Sequence, residues 1–186
     1  MTTPASQPAL RPDVDVGSGK RVGRAFIAVL VVASIAMVAV GWMVAGKIRG
    51  TAAETDRRLR TLAWATMSYV TANDGAFPLS IEELKAFGLG GETIALAPDA
   101  DDTPWPTTRT AAMAGAQPST YDEALVSIVV VFGDARDVPP YLKPDGLPTT
   151  VGTSAECNEW LKAMRARYLR RGLGLDKGPA ATPPVK

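Results

Sequence analysis

Few residues in this chain are of types that do chemistry unaided. Asp99, Asp101 and Asp102 crowd one short stretch. Hard carboxylate oxygens so spaced are calcium ligands in principle, but the glycine and distant glutamate of an EF-hand loop do not fall in register. These three are the only metal candidates, and a solvated acidic loop is the expectation. Asp122, Glu123, Asp134 and Asp137 could offer a paired acid and base. That work needs a desolvated site holding one carboxyl protonated, whereas turn and helix-cap roles suit all four positions. Cys157 falls near an expected helix start, where the dipole lowers a thiol pKa. It also lies on an apolar stripe and has no histidine to activate it, so packed core is expected.

The absences narrow the chemistry further. The chain has no histidine, which removes the usual general base and the commonest metal ligand. Its single cysteine allows neither an intrachain disulfide nor a multi-cysteine metal site. No glycine-rich phosphate loop and no Gly-x-Ser-x-Gly elbow occurs. The expectation is a protein with no catalytic residue, no resident metal and no cofactor.

Charge is unevenly distributed. Residues 72–140 carry 11 acids and 3 bases, whereas residues 141–186 carry 4 acids and 8 bases. Lys162, Arg165, Arg167, Arg170 and Arg171 crowd the end of one expected helix, where cations complement the dipole. This basic end is the candidate docking surface, with a charged protein or membrane as the expected partner and no nucleic acid.

Length and patterning say which elements must carry these residues. The chain has 186 residues, enough for one modest domain and an extra segment. From Ala25 to Gly46 there is no charged residue. At about 1.5 Å per residue this run spans roughly 33 Å, enough to cross a hydrocarbon core of about 30 Å. Lys20, Arg21 and Arg24 flank one side, Lys47 and Arg49 the other, and Trp42 sits near one end, where aromatic belts form. Ala39-Val40-Gly41 offers a small-residue cleavage site, but the apolar run continues past it to Gly46, so an uncleaved signal anchor is expected. The expected orientation puts the N-terminus in the cytoplasm and the C-terminal domain outside. Gly41 and Ala45, at i and i+4, form a small-residue pair for helix packing in the bilayer.

The organisation that follows is α+β. Residues 1–24 read as a disordered cytoplasmic tail, 25–46 as the transmembrane helix, 47–171 as the soluble domain and 172–186 as a second disordered tail. Residues 51–73 read as a helical stalk that becomes amphipathic, with Leu59, Leu62, Ala63, Thr66, Tyr69 and Val70 on one stripe. Glu54–Arg58 and Asp56–Arg60 are acid-to-base pairs at i, i+4. Asn73-Asp74-Gly75 ends the helix. Ser80 and Glu83 form a capping box for a short helix, as do Thr153 and Glu156 for a helix running to about Arg171. Thr93–Ala97 could be a short strand, and residues 98–118 and 138–148 read as loops. Leu125–Phe132 (LVSIVVVF) is the clearest strand, apolar on both faces and so expected to be covered on both sides. A small antiparallel sheet around it and a C-terminal amphipathic helix complete the expectation.

The exit from the long helix carries a resemblance. Tyr69, then Asn73-Asp74-Gly75-Ala76-Phe77-Pro78, then Leu79-Ser80-Ile81-Glu82-Glu83-Leu84, follow a basic-flanked apolar helix. This layout, over residues 25–90, resembles the type IV pilins and type II secretion pseudopilins. The resemblance implies a small sheet packed on a long N-terminal helix, a bacterial inner (plasma) membrane location and a structural or assembly role in a secretion or envelope apparatus. The family's processing site has no counterpart, because Gly23 is followed by Arg24-Ala25-Phe26 and no acid occurs from residue 25 to 46. The implied protein is therefore a pilin-like domain on an uncleaved anchor and not a polymerising subunit. The alternative is an accessory subunit of a larger membrane complex, docking through its apolar helix and its basic C-terminal helix.

Overall fold

The computed structural model describes residues 16–99 and 102–175. Most of both expected tails (1–15 and 176–186) and Asp101 lie outside the described residues. The chain divides into two units, Met1–Gly46 and Lys47–Lys186. Helix α1, Val16–Ala72, contributes to both. It starts before the charge-free run, so the basic flank at Lys20, Arg21 and Arg24 is helical, where an irregular tail was expected.

In the first unit, nearly every side chain from Phe26 to Gly46 is exposed, including Phe26 at 64% and Trp42 at 78%. This is the one helix among the described residues long and apolar enough to cross a membrane. Its hydroxyl, on Ser34, donates back to the Leu30 carbonyl at 2.8 Å, so no polar hydrogen is left unpaired on that side chain.

The second unit is built around the end of α1. From Thr61 to Val70, ten consecutive residues are buried. Amphipathicity was expected here; a helix covered all round is found instead. The cause is legible in composition, since no charged residue occurs between Arg60 and Asp74. Two polar members of the run bond back within the helix: Thr61 donates to Arg57 O and Thr66 to Leu62 O, both at 2.8 Å. Asp74 (φ 50) and Gly75 (φ 93) then turn the chain left-handed, and Gly75 N–H returns to Val70 O at 2.9 Å, closing the helix.

Helix α2 (Ile81–Phe87) follows, N-capped by Ser80, which accepts from Glu83 N–H. Two short helices, α3 (Arg109–Ala112) and α4 (Tyr121–Leu125), come next. Strands β1 (Ile128–Val131) and β2 (Tyr141–Pro144) pair antiparallel, with Ile128 opposite Pro144 and Val130 opposite Leu142. Helix α5 (Thr153–Gly172) closes the order. These elements make an α+β arrangement of a long N-terminal apolar helix, a small sheet and a C-terminal helix. One core joins Leu62, Trp64, Met67 and Phe77 to Ile128, Leu142, Trp160 and Leu161.

Several expectations are corrected. Thr93–Ala97 is not a strand; Thr93 makes only an isolated bridge to Thr108. The strand expected over 125–132 shrinks to four residues, because Thr120 and Glu123 form a complete capping box that draws 121–125 into α4. The strand is also not covered on both sides. Ile128 is buried, while Val129, Val131 and the cross-strand Tyr141 are 43%, 52% and 51% exposed. The proline-rich 138–148 segment, expected to be a loop, holds β2. Pro144 is tolerated because its register position opposite Ile128 requires no N–H. The free edge of β2 is closed by Asn158: its Oδ1 accepts from Leu142 N–H at 2.8 Å and its Nδ2 donates to Leu142 O at 2.9 Å. Finally, Thr153 does not cap α5. Gly152 (φ 96) is the cap residue, Thr153 is buried in the first turn, and Glu156 pairs with Arg60 at 2.7 Å. Asp56, expected to pair with Arg60, instead accepts from Thr150 N–H at 3.1 Å.

Ser68 sits on the buried run with its Oγ unpartnered among the described residues. A Cβ on Gly90 (φ +72) would lie 2.3 Å from Ser68 Cβ. Gly90→Ala is therefore expected to lower stability by about 1–3 kcal/mol through strain and overpacking. Ser68→Ala is expected to leave stability unchanged or raise it, because the lost hydroxyl has no bond to lose. Thermal melts of the detergent-solubilised protein check both.

Candidate functional site

The acidic and basic clusters read from the sequence meet each other. Arg167 pairs with Asp99 and Arg170 with Asp102, one helical turn apart on α5. Asp102 Oδ2 also accepts from Asp99 N–H at 2.9 Å, a local turn that holds the two carboxylates together. The Asp102 side chain is 5% exposed and its partner Arg170 is 40% exposed, so the pair is open to water on the arginine side. Arg165, on another side of α5, pairs with Asp137 at 3.1 Å. Lys162 is paired with Glu159 on its own helix at 2.8 Å. Arg171, the last of the five, is exposed beyond these contacts. The described candidate metal ligands and three of the five docking cations thus form an ionic latch, which ties the 98–105 loop and the 133–140 loop to α5.

Three of the four candidate acid–base carboxylates are held by different partners. Asp122 accepts from Lys85 Nζ at 2.7 Å. Glu123 closes the α4 capping box and lies 4.0 Å from Arg57. Asp137 belongs to the latch. Cys157 is fully buried, and burial pushes its thiol up to about 12, the opposite of nucleophilic activation. Its place in the core with Trp160, Leu161 and Met164 is packing. In the first unit, nothing beyond the local helix backbone lies within 4 Å of where a Gly41 Cβ would be, and Ala45 is partly exposed.

A second constellation was visible only in pieces. Tyr69 O–H donates to Glu83 Oε2 at 3.1 Å. Arg136 forks onto the same carboxylate, Nη2 to Oε1 at 2.8 Å and Nη1 to Oε2 at 3.1 Å. Leu79 N–H donates to Glu83 as well, and the Arg136 carbonyl accepts from Phe77 N–H at 2.7 Å. Tyr69 further packs edge-on against Phe87, with centroids 5.4 Å apart. The Tyr, aromatic-Pro and Leu/Glu residues of the exit motif are thus one clamp that fixes the chain's departure from α1. Sequence reading supplied Tyr69 and Glu83 and missed Arg136. Its signal was present: Arg136 is the only base between Arg109 and Lys143.

The electrostatics follow the geometry. Arg136 hydrogen bonding, joined by Leu79 N–H, holds the Glu83 carboxyl below the usual carboxylate range. The same carboxylate raises Arg136. Burial pushes the Tyr121 phenol well above its ordinary value, and its O–H donates to Gly88 O at 2.8 Å, tying α4 to the end of α2. Among the described residues, no group of three or more metal-ligating side chains converges. No protein-family model, curated protein or solved structure matches this chain.

Two outcomes are expected. A carboxyl lowered in the folded state stabilises above its unfolded pKa, and that contribution is lost as pH falls through the folded value. The melting temperature should therefore drop on acidification below about pH 4, and Glu83→Gln should lower it at neutral pH while flattening the acid limb. Native protein should not react with a thiol reagent at pH 8, where a thiol titrating near 12 is about one part in 10,000 thiolate, and should react fully once denatured.

Proposed function

We propose that this protein is a non-enzymatic, single-pass membrane protein. Its pilin-like domain would stand outside the cytoplasm as a structural or assembly component of a secretion or envelope apparatus. The observation that carries this reading is the exposed apolar helix from Phe26 to Gly46. Its large apolar side chains face outward on every side of the helix. Left in water that surface would carry a large hydrophobic cost; a bilayer accepts it.

The domain supports a non-catalytic role through what its polar groups do. The carboxylates nearest to chemistry hold loops, caps and the α1 exit, and the cysteine is packed core. The pilin-like part of the reading is supported by the exit clamp of Tyr69, Glu83 and Arg136 and by a domain organised around the end of its N-terminal helix. The sheet stops at two strands, and Thr93–Ala97 does not join it, so this domain is smaller in its sheet than the resemblance implies.

That difference favours a second reading, an accessory subunit of a larger membrane complex. Val129, Val131 and Tyr141 leave one face of the sheet apolar and uncovered, as a subunit removed from its neighbours would. Crosslinking in membranes, purification through a C-terminal tag and mass spectrometry of the partners and of the N-terminus separate the readings. Secretion or pilus components with an intact N-terminus are the expected result. Subunits of an unrelated membrane complex would transfer the assignment to the second reading, and recovery in the alkaline-soluble fraction would end both.

A further inference from the structure

The two edges of the small sheet are built differently. β2 is flanked or ended by Pro139, Pro140 and Pro144, and Asn158 takes both the N–H and the C=O of Leu142 on its outer side. β1 has no such protection: from Ala124 to Gly133 there is neither a charged residue nor a proline. The register shows where its main chain points. In an antiparallel pair, opposite residues alternate between exchanging both hydrogen bonds and turning them away from each other. Leu142 gives its own to Asn158, so Val130 opposite it also turns its N–H and C=O away from the partner strand. Asp145 N–H, donating to Ser127 O at 2.8 Å, fixes the same alternation from the other end of the ladder. Among the described residues, no backbone group meets the outward N–H and C=O of Val130, and the sheet has two strands only.

The side chains beside this edge share a face. Val129 and Val131 point to the side opposite Ile128 and Val130, and Tyr141 lies directly across from Val131. Val129, Val131 and Tyr141 are exposed, whereas Ile128 is buried and Val130 half-buried. Unpaired main-chain groups beside an exposed apolar face are what an added strand uses.

Charge selects the occupant. Residues 119–137 hold four acids and one base, Arg136, which is committed to Glu83. Asp122, its side chain 88% exposed, and Glu123 precede β1, and exposed Asp134 follows it. A second copy pairing antiparallel through β1 would set the 122–123 end of one strand against the 134 end of the other, acid against acid. Residues 1–15 and 176–186 carry a proline at least every fourth position, or end within two residues of one, and proline has no N–H to give a ladder.

We propose that the free edge of β1 is a strand-addition site for another protein, which supplies an extended segment with apolar side chains beside Val129 and Val131 and basic residues at both ends. This rests on the reading of the domain as one component of an assembly, and gives that assembly's contact a form.

The test uses the full chain in detergent and a fluorescent synthetic peptide in which valine alternates with threonine between paired arginines. One control peptide has glutamate for arginine. A second carries N-methyl groups on alternate residues, which removes the donors that pair with the edge. Anisotropy reads binding, and site-resolved hydrogen exchange reads the Val130 amide. In the free protein that amide should exchange faster than those of Val129 and Val131, which pair with β2. Saturating arginine-ended peptide should slow it at least about tenfold, with both controls binding at least about tenfold more weakly. Val131→Lys, at an exposed position, should keep the melting temperature and weaken binding. No binding of the arginine-ended peptide, equal binding of all three, or binding without slowing at Val130 overturns the proposal. So does a Val130 amide already slow in the free protein. Protection that grows with protein concentration in the absence of peptide overturns it by giving the edge to a second copy. Each of these failures leaves the assembly reading standing, since alkaline extraction and identification of partners decide that reading separately.

Discussion

The second unit depends on one constraint, a helical segment with no face for water. Thr61–Val70 buries every side chain, so each direction around the helix must be covered by some other part of the chain. Trp64 reaches the 88–91 loop, donating from Nε1 to Gly91 O at 3.3 Å. Thr61 Oγ1 accepts from Ser119 N–H at 3.1 Å on another side. Tyr69 meets α2 through Phe87, and the sheet and α5 close the core over Leu62 and Met67. Removing any one layer would expose apolar surface that costs about 25 cal/mol per Å² in water. Short elements such as α3, α4 and a two-stranded sheet would be marginal alone. They persist because each covers part of the same helix.

Electrostatics complete what packing begins. The acid-rich middle and the base-rich end of the chain fold onto each other, so a polarised sequence yields a surface of local pairs. Exposed pairs of this kind contribute about 0–1 kcal/mol each, but they decide where loops lie. The 98–105 loop has little apolar content to hold it besides Trp105, which is 4% exposed. Asp99 and Asp102 supply the rest of its attachment through Arg167 and Arg170. A loop used in this way is unavailable for calcium without releasing α5, and an arginine so paired is a fastener before it is a docking group.

What could be read from the sequence follows from the range of the interactions involved. Local signals were legible. The charge-free run, the Asn73-Asp74-Gly75 stop, the Ser80 cap and the strand core at 128–131 all depend on neighbours a few residues away. Elements set by distant partners were not. β2 is hidden behind prolines, and its edge is satisfied by an asparagine on α5, a pairing that no local pattern announces. α4 was given no element: only its last residue, Leu125, lay in the apolar run, and its capping box sits outside that run. Glu156 looked like half of a cap and is instead a partner for Arg60, which also lies 5.4 Å over the Trp160 ring. The exit motif was recognised as a pattern, but its physical reason needed Arg136, 67 residues from Tyr69.

Native-state hydrogen exchange of the second unit tests the central claim most directly. If the rest of the fold is built around Thr61–Val70, those amides are the slowest to exchange, and they open only with global unfolding. The α2 and α5 amides then exchange sooner, through partial openings that leave the central turns protected. Exchange at Thr61–Val70 as fast as in the exposed turn at 47–50, or faster than in α5, would contradict the account and make that helix a consequence of the fold and not its support.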